Sequence, residues 1–130
     1  MEVNQEQYID LETDRVYFRL PNCKNDKIFK ILKYPSVVKD LYLISEDGIV
    51  INRVSNTIVE RNNITCSSPF PSVNLSCIVD GEYSIERFRI CDLMASTFIR
   101  NSELYLERGC KVKCIGNVYD THYTNFIYDI

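Results

Sequence analysis

Hydrophobic and polar positions alternate in the middle of the chain, in short runs separated by turn residues. Two pairs of these runs flank Asp47-Gly48 and Asp80-Gly81. An Asp-Gly pair between β-rich runs favours a tight hairpin, because both turn positions tolerate a positive φ. The pattern therefore predicts a small antiparallel sheet, built from runs at residues 41–45, 49–53, 73–79 and 83–90.

The spacing changes to three and four residues at the end of the last run. The repeating positions are Ile90, Leu93, Met94, Thr97 and Phe98. Residues at i, i+3, i+4, i+7 and i+8 share one face of a helix, so this segment is predicted to be an amphipathic helix with that face buried. The helix should end near residues 100–101.

Weaker patterns flank these segments. Residues 16–20 and residues 111–115 each predict a short strand, and Gly116-Asn117 predicts a turn. The pattern leaves open whether the closing segment, residues 120–130, is strand or helix.

Four lysines in the first third of the chain recur at every third position around an apolar stretch. They are Lys24, Lys27, Lys30 and Lys33. This spacing suits one face of a short helix, where the ammonium groups could contact phosphates. A solvated lysine face over buried apolar residues is the more common arrangement with the same pattern.

Composition indicates one compact domain or two small subdomains that share a core. The 15 Lys and Arg residues against 18 Asp and Glu residues give a formal net charge of -3, so any DNA-binding face must be a local patch. No apolar run approaches the roughly 20 residues that span a bilayer, and no signal peptide is recognisable, so an intracellular protein without membrane partners is expected. The six cysteines are expected to be reduced and mostly buried.

Three stretches, in this order, resemble the HNH endonucleases of phages and mobile elements that carry a small nuclease-associated DNA-binding module. Residues 42–52 follow the module's pattern Tyr-x-Ile-Ser-x-x-Gly-x-Val-x-Asn. Residues 89–99 follow the apolar positions of the family's His-Arg-Leu-Val-Ala-x-x-Phe-Ile helix. Residues 112–117 and 125–128 resemble the nuclease core Val-x-His-Ile-Asp-Gly-Asn and Asn-Leu-x-Trp.

The resemblance implies an α+β protein in which a small antiparallel β-hairpin module precedes a degenerate ββα-metal domain of the His-Me finger, HNH-like type. It divides the chain into an N-terminal segment with a short strand, a module-like β-rich part and an HNH-like domain. These parts are residues 1–27, 28–66 and 67–130.

The residues that would cut DNA are missing from the matching positions. Hydrolysis by this fold needs a histidine base and a divalent metal ion. The base position is Cys114, whose thiol has an ordinary pKa of about 8.5 and is a soft ligand unsuited to Mg²⁺. The following aspartate is also missing, because Ile115 runs directly into Gly116. Gly116, Asn117 and Asn125 match the motif, and the family's further catalytic positions would lie beyond residue 130, so no catalytic residue is predicted.

A zinc site is the alternative use of the cysteines. Cys110, Cys114 and His122, with Cys91 as a fourth ligand, have the residue types of such a site. Two thiols packed at the ends of a short strand are the favoured interpretation. His122 lies in a polar turn, where a surface position is expected, and no cofactor is predicted.

The leading hypothesis is therefore a catalytically inactive, HNH-nuclease-like viral or phage protein that binds a protein or a nucleic acid. Nine tyrosines and a nearly balanced charge slightly favour a protein partner, within a larger viral or host assembly. If DNA is bound, nine basic residues are the candidates for phosphate contacts. They are Lys24, Lys27, Lys30, Lys33, Arg53, Arg61, Arg87, Arg89 and Lys111.

Two other functions stay open. One is an active metal-dependent HNH endonuclease with a displaced base, and the other is a virion accessory or structural protein or an inhibitor of a host enzyme. A phage-encoded chain would act in the host cytoplasm or in the virion.

Overall fold

A computed structural model describes residues 7–10, 15–18, 27–67 and 69–130 of the 130. These residues form ten strands, two α-helices and one 3₁₀ turn. The α+β prediction with antiparallel hairpins is confirmed. No helix in the described ranges has the length and apolar character needed to cross a membrane.

The first six strands form one antiparallel meander, in which each strand pairs with the next. The fourth and fifth of these strands, β4 and β5, form the first predicted hairpin. Their register places Leu43 opposite Ile51 and Ile44 opposite Val50. The strands are β1 (Gln7–Asp10), β2 (Arg15–Phe18), β3 (Lys27–Ile31), β4 (Tyr42–Ser45), β5 (Val50–Asn52) and β6 (Thr57–Ile58).

The second predicted hairpin is a separate two-stranded sheet, and it leads directly into the predicted helix. Asp80 and Gly81 both adopt a positive φ in its turn, as the Asp-Gly pair predicts. Asn101, at φ 61°, separates the helix from a second helix that the apolar pattern did not indicate. The elements are β7 (Ser72–Val79), β8 (Glu82–Arg89), α1 (Ile90–Phe98) and α2 (Ser102–Glu107).

A last hairpin closes the described fold. Strand β9 (Lys111–Cys114) is the predicted strand, and the segment that the pattern left open contains a 3₁₀ turn (Tyr123–Asn125) and β10 (Phe126–Asp129). Strand β10 runs antiparallel to β9, with Phe126 opposite Cys114.

One hydrophobic core joins these elements on both sides of residue 66. Leu93 and Met94 of α1 are fully buried in it, and each such side chain contributes about 1.5–3 kcal/mol of stabilisation. A smaller cluster on the other face of the meander contains Phe29, Leu43 and Ile51. Other members of the main cluster are Leu32, Tyr42, Ile44, Val50, Val73, Leu75, Ile90 and Phe126. The domain boundaries expected from the resemblance stay predictions.

The β4–β5 turn is anchored to the loop that precedes β10. The Thr121 hydroxyl donates to the Asp47 carbonyl oxygen at 2.7 Å, and the Tyr123 amide donates to the Glu46 carbonyl oxygen at 2.9 Å. Gly48, at φ +89°, lies against both Thr121 and Ile90. The turn thus connects the meander with α1 and the closing hairpin.

The prediction of a short helix for the lysine repeat is wrong, because residues 27–31 form strand β3. The strand pairs with both β2 and β4, and its Phe29 is fully buried. This tertiary pairing outweighs a lysine spacing that would also suit a helix. Since side chains alternate between the faces of a strand, residues three apart do not share a face. Lys24 lies outside the described residues.

Replacing Gly48 with alanine should destabilise the protein more than the same change at Gly81. Both glycines have a positive φ, which costs a side chain about 1–2 kcal/mol. A Cβ at Gly48 would also lie 2.9 Å from Cβ of Thr121 and 3.1 Å from Cγ2 of Ile90, whereas nothing lies within 4 Å at Gly81. Urea unfolding should show an additional loss of about 1–3 kcal/mol for Gly48→Ala. Equal losses for the two variants would contradict the anchoring of this turn.

Candidate functional site

The position that matches the histidine base lies against the core. Cys114 ends β9 and, like Val112 before it, is half-buried against the main cluster, whereas Lys111 and Lys113 are exposed. The Cys114 thiol lies close enough to Cys91 of α1 for its charge to contribute to a raised pKa there. In this structure Cys114 is therefore a packing residue that faces the helix.

The pKa of Cys91 is raised to about 12, mainly by burial and in smaller part by the charges of Asp92 and Cys114. Arg89 opposes the shift. A thiol with this pKa stays protonated near neutral pH and is a poor nucleophile.

Asn125 closes the loop between β9 and β10. Its side-chain nitrogen donates to the carbonyl oxygens of Asn117 at 2.8 Å and of Asp120 at 2.9 Å, and its side-chain oxygen accepts from the Gly116 amide at 2.7 Å. Asn125 is buried, so these three bonds satisfy backbone groups that water reaches poorly. The structure thus brings together the three residues that match the nuclease motif, in a loop-closing arrangement.

His122 caps the 3₁₀ turn. Its Nδ1 lies 2.8 Å from the Thr124 hydroxyl and accepts from the Thr124 amide at 3.3 Å. Its ring stacks on Tyr123, with ring centroids 4.9 Å apart. The side chain is half-buried, where the sequence predicted a surface position.

The structure does not bring the candidate zinc ligands Cys91, Cys110, Cys114 and His122 together into one site. No three His, Cys, Asp or Glu side chains in the part of the chain that the structure describes are grouped closely enough to hold a metal ion. Cys110 and Cys114 are four residues apart along an extended segment, which places their Cα atoms about 13 Å apart. This separation is too large for both thiols to bind one tetrahedral ion.

The five cysteines in the described ranges are free. Burial was expected for most of them, but Cys77 alone among these five is fully buried, Cys91, Cys110 and Cys114 are half-buried, and Cys66 is exposed.

Several of the basic candidates on the meander side make contacts within the fold. Arg61 donates to Gly48 and Thr121, and its burial lowers its pKa. Arg53 donates to the Asp40 carbonyl oxygen at 3.1 Å. The Lys30 ammonium lies 5.8 Å from the centre of the Phe98 ring.

The remaining meander-side candidates are Lys33 and Lys27. Lys33 is exposed, and the side chain of Lys27 lies outside what the structure describes.

Two further candidates, Arg89 and Lys111, line one cleft of about 400 Å³ between α1 and β9. Asp92 also lines it, and burial raises the pKa of this carboxyl while Arg89 opposes the shift. The Tyr128 hydroxyl nearby is buried without a hydrogen-bond partner among the described residues, and its burial raises its pKa to about 12. The cleft therefore combines both signs of charge with aromatic rings.

Strand β7 buries one face of the β7–β8 hairpin, whereas β8 is exposed on both of its faces except at Phe88. Val73, Leu75 and Cys77 are fully buried on the inner face, as the alternation of β7 requires. The opposite face, which we call the outer hairpin face, consists of Ile78, Tyr83, Ile85, Arg87 and Arg89 together with the polar β7 residues Ser72, Asn74 and Ser76.

Apolar side chains dominate the free end of the outer hairpin face. Tyr83 is 77% exposed, Ile85 is 72% exposed and Ile78 is 39% exposed. At the other end, the Arg89 guanidinium lies over the Phe70 ring at 4.5 Å. The register brings Ile78 opposite Tyr83, so two of the apolar residues lie directly side by side.

Sequence analysis predicted the strands of this hairpin but did not select Tyr83 and Ile85 as functional candidates. Their alternation with Glu82, Ser84 and Glu86 indicates an apolar face. The pattern alone does not tell whether another element covers that face.

Comparisons of the chain with family models, with curated proteins and with solved structures find no match in any of the three.

Replacing Asn125 with alanine should destabilise the protein by about 2–4 kcal/mol, because three loop-closing bonds are lost and their backbone partners stay poorly hydrated. Urea unfolding measures the change. Asn63→Ala is the matched control, since Asn63 is exposed and its loss should change stability by less than about 0.5 kcal/mol. Similar values for the two variants would contradict the loop-closing role.

Stability should fall as pH rises past about 8.5 to 9, where an unperturbed thiol ionises, because the pKa of Cys91 is raised in the folded protein. In this range the unfolded thiol has lost its proton while the folded thiol keeps it, so rising pH favours unfolding. Because part of the side chain contacts solvent, the slope should stay below the one-proton limit of about 1.4 kcal/mol per pH unit.

Urea unfolding under reducing conditions between about pH 8.5 and 9.5 tests this, because the range lies below the unperturbed tyrosine pKa of about 10. The fall should be smaller in Cys91→Ala and unchanged in the exposed control Cys66→Ala. A fall that is the same in all three proteins would refute the assignment to Cys91.

Proposed function

We propose that the chain is a non-catalytic, HNH-nuclease-like binding domain that attaches to a protein partner through the outer hairpin face. The single observation behind the proposal is that Tyr83 and Ile85 lie largely exposed on this face.

Exposed apolar side chains that adjoin each other are typical of binding surfaces, because leaving them in water is unfavourable. Tyrosine and arginine are also enriched at protein interfaces, where they provide contact area and hydrogen bonds. The outer hairpin face combines Tyr83, Ile85 and Ile78 with Arg87 and Arg89.

Loss of catalysis is supported by the surroundings of Cys114. A general base must reach its substrate, whereas this thiol is half-buried against the core cluster and α1. The retained motif residues Gly116, Asn117 and Asn125 hold the loop closed, a role that needs no chemistry. Both observations support the proposal that the chain keeps the fold without the reaction.

A protein partner is favoured over DNA by charge. The formal net charge is -3, and Arg53 and Arg61 bind backbone oxygens within the fold. Arg89 and Lys111 line one cleft, but the Asp92 carboxyl lines it too and weakens its attraction for phosphates.

Affinity capture with the tagged full chain tests the proposal, using an extract of the cells that produce it at moderate salt, with and without nuclease treatment. A protein should be recovered in both arms. The double variant Tyr83→Ser/Ile85→Ser should recover at least about tenfold less of the partner protein, because buried anchor residues dominate such interfaces. Val54→Ser, at a residue 85% exposed in the β5–β6 turn, is the matched control and should recover as much as the unmodified chain.

If the double variant recovers as much partner protein as the unmodified chain, the outer hairpin face is excluded as the binding surface. Recovery of nucleic acid alone, released by higher salt, would replace the proposal by a DNA-binding function with Arg87, Arg89 and Lys111 as the first residues to change.

A further inference from the structure

We infer that strand β8 pairs, edge to edge and antiparallel, with β8 of a second copy of the chain. The inference rests on the proposed function, since the same strand supplies most of the outer hairpin face. It identifies one partner of that surface as the protein itself.

The first argument is that β8 is an edge strand. The far edge of β7 is covered by backbone bonds from Ser36–Val38 and Asn62, including Ile78 to Ser36 at 2.8 Å and Asn62 to Ser72 at 2.8 Å. Among the described strands β8 pairs only with β7. About every second residue of β8 therefore points its backbone groups away from β7, toward a site where another strand can add.

The second argument is the exposure of this edge. Seven of the eight residues of β8 are exposed and Phe88 is half-buried. The strand contains neither proline nor glycine. It has four charged residues, which commonly protect an edge from unwanted pairing, so a partner must match them. They are Glu82, Glu86, Arg87 and Arg89.

The third argument is that β8 matches itself over most of its length in one register. Two identical antiparallel strands related by a two-fold axis pair residues symmetrically about a central residue, which lies opposite its own copy. Centring on Glu86 would place two carboxylates opposite each other, and centring on Ser84 would place Glu82 opposite Glu86. Like charges in such positions are destabilising.

Centring on Ile85 avoids these contacts and pairs seven residues of each strand. Ile85 then lies opposite Ile85 of the second copy, and Tyr83 lies opposite Arg87. Aliphatic pairs and a guanidinium beside an aromatic ring are both favourable across strands. On the inner face Ser84 lies opposite Glu86 and Glu82 lies opposite Phe88, so no two like charges lie directly opposite each other.

This pairing produces a four-stranded sheet, β7-β8-β8-β7, across the two copies. The apolar residues Ile78, Tyr83 and Ile85 of both copies lie on its outer side, because a two-fold axis normal to the sheet keeps the faces together. Dimerisation thus enlarges the outer hairpin face and leaves it accessible to a further protein.

Sedimentation velocity of the full chain over a range of concentrations tests the inference. The unmodified chain should shift from monomer to twice that mass as its concentration rises. Ile85→Lys alone and Ile85→Glu alone should each stay monomeric, because each puts two like charges opposite each other at the axis. An equimolar mixture of the two variants should form dimers again, because the introduced charges are opposite only in the mixed pair.

Ile85 is 72% exposed, so both changes should leave the fold intact, which circular dichroism verifies. Val54→Lys and Val54→Glu are the matched controls and should dimerise like the unmodified chain. A chain that is monomeric at every concentration, or a mixture that stays monomeric, would overturn the inference.

These outcomes are separable from those of the capture experiment. A monomeric chain that still captures a protein through Tyr83 would refute the dimer and leave the proposed function standing. A dimer that captures no other protein would leave the strand pairing intact and refute attachment to a separate partner.

Discussion

Burial of helix α1 is the constraint on which the rest of the structure depends. The helix packs against α2, β8, β9, β10 and the 3₁₀ turn, and its residues from Leu93 to Thr97 are all buried.

Two of these buried residues are polar, and both form hydrogen bonds with the segment that follows β3. The Ser96 hydroxyl donates to the Lys33 carbonyl oxygen at 2.5 Å, and the Lys33 amide donates to the Thr97 hydroxyl at 3.1 Å. Each such bond contributes about 1 kcal/mol and avoids a larger cost for an unpaired buried group.

Because α1 packs against elements on several of its sides, it also fixes the meander and the closing hairpin relative to each other. The β4–β5 turn contacts Ile90 and Thr121, so a tight backbone at Gly48 is needed for both contacts. The same packing leaves Cys114 against the helix. The features that make the fold rigid are therefore the ones that close off the position where the resemblance would place a catalytic base.

The hairpin β7–β8 shows the opposite arrangement on its outer side. Its inner face is anchored by Val73, Leu75 and Cys77, which gives the hairpin a firm base. Its outer face and its β8 edge are left to solvent, with Tyr83 and Ile85 exposed. A rigid element with an accessible edge and an accessible apolar face is suited to binding, since little conformational entropy is lost on association.

The sequence by itself determined the local elements whose signals are strong. The Asp-Gly turns place both hairpins, and the spacing of Ile90, Leu93 and Met94 identifies α1, because these signals depend only on backbone preferences and on periodic burial. The motif positions Gly116, Asn117 and Asn125 were also visible in the sequence, although their hydrogen bonds were not.

Only the tertiary structure decided the features that depend on distant neighbours. Residues 27–31 form a strand because β2 and β4 lie on either side of them, which outweighs a lysine spacing that suits a helix. Cys110 and Cys114 lie apart because the chain between them is extended. Tyr83 and Ile85 are exposed because no described element packs over that side of the hairpin. An alternating pattern predicts an apolar face, but whether another part of the chain covers it depends on long-range packing that no local pattern contains.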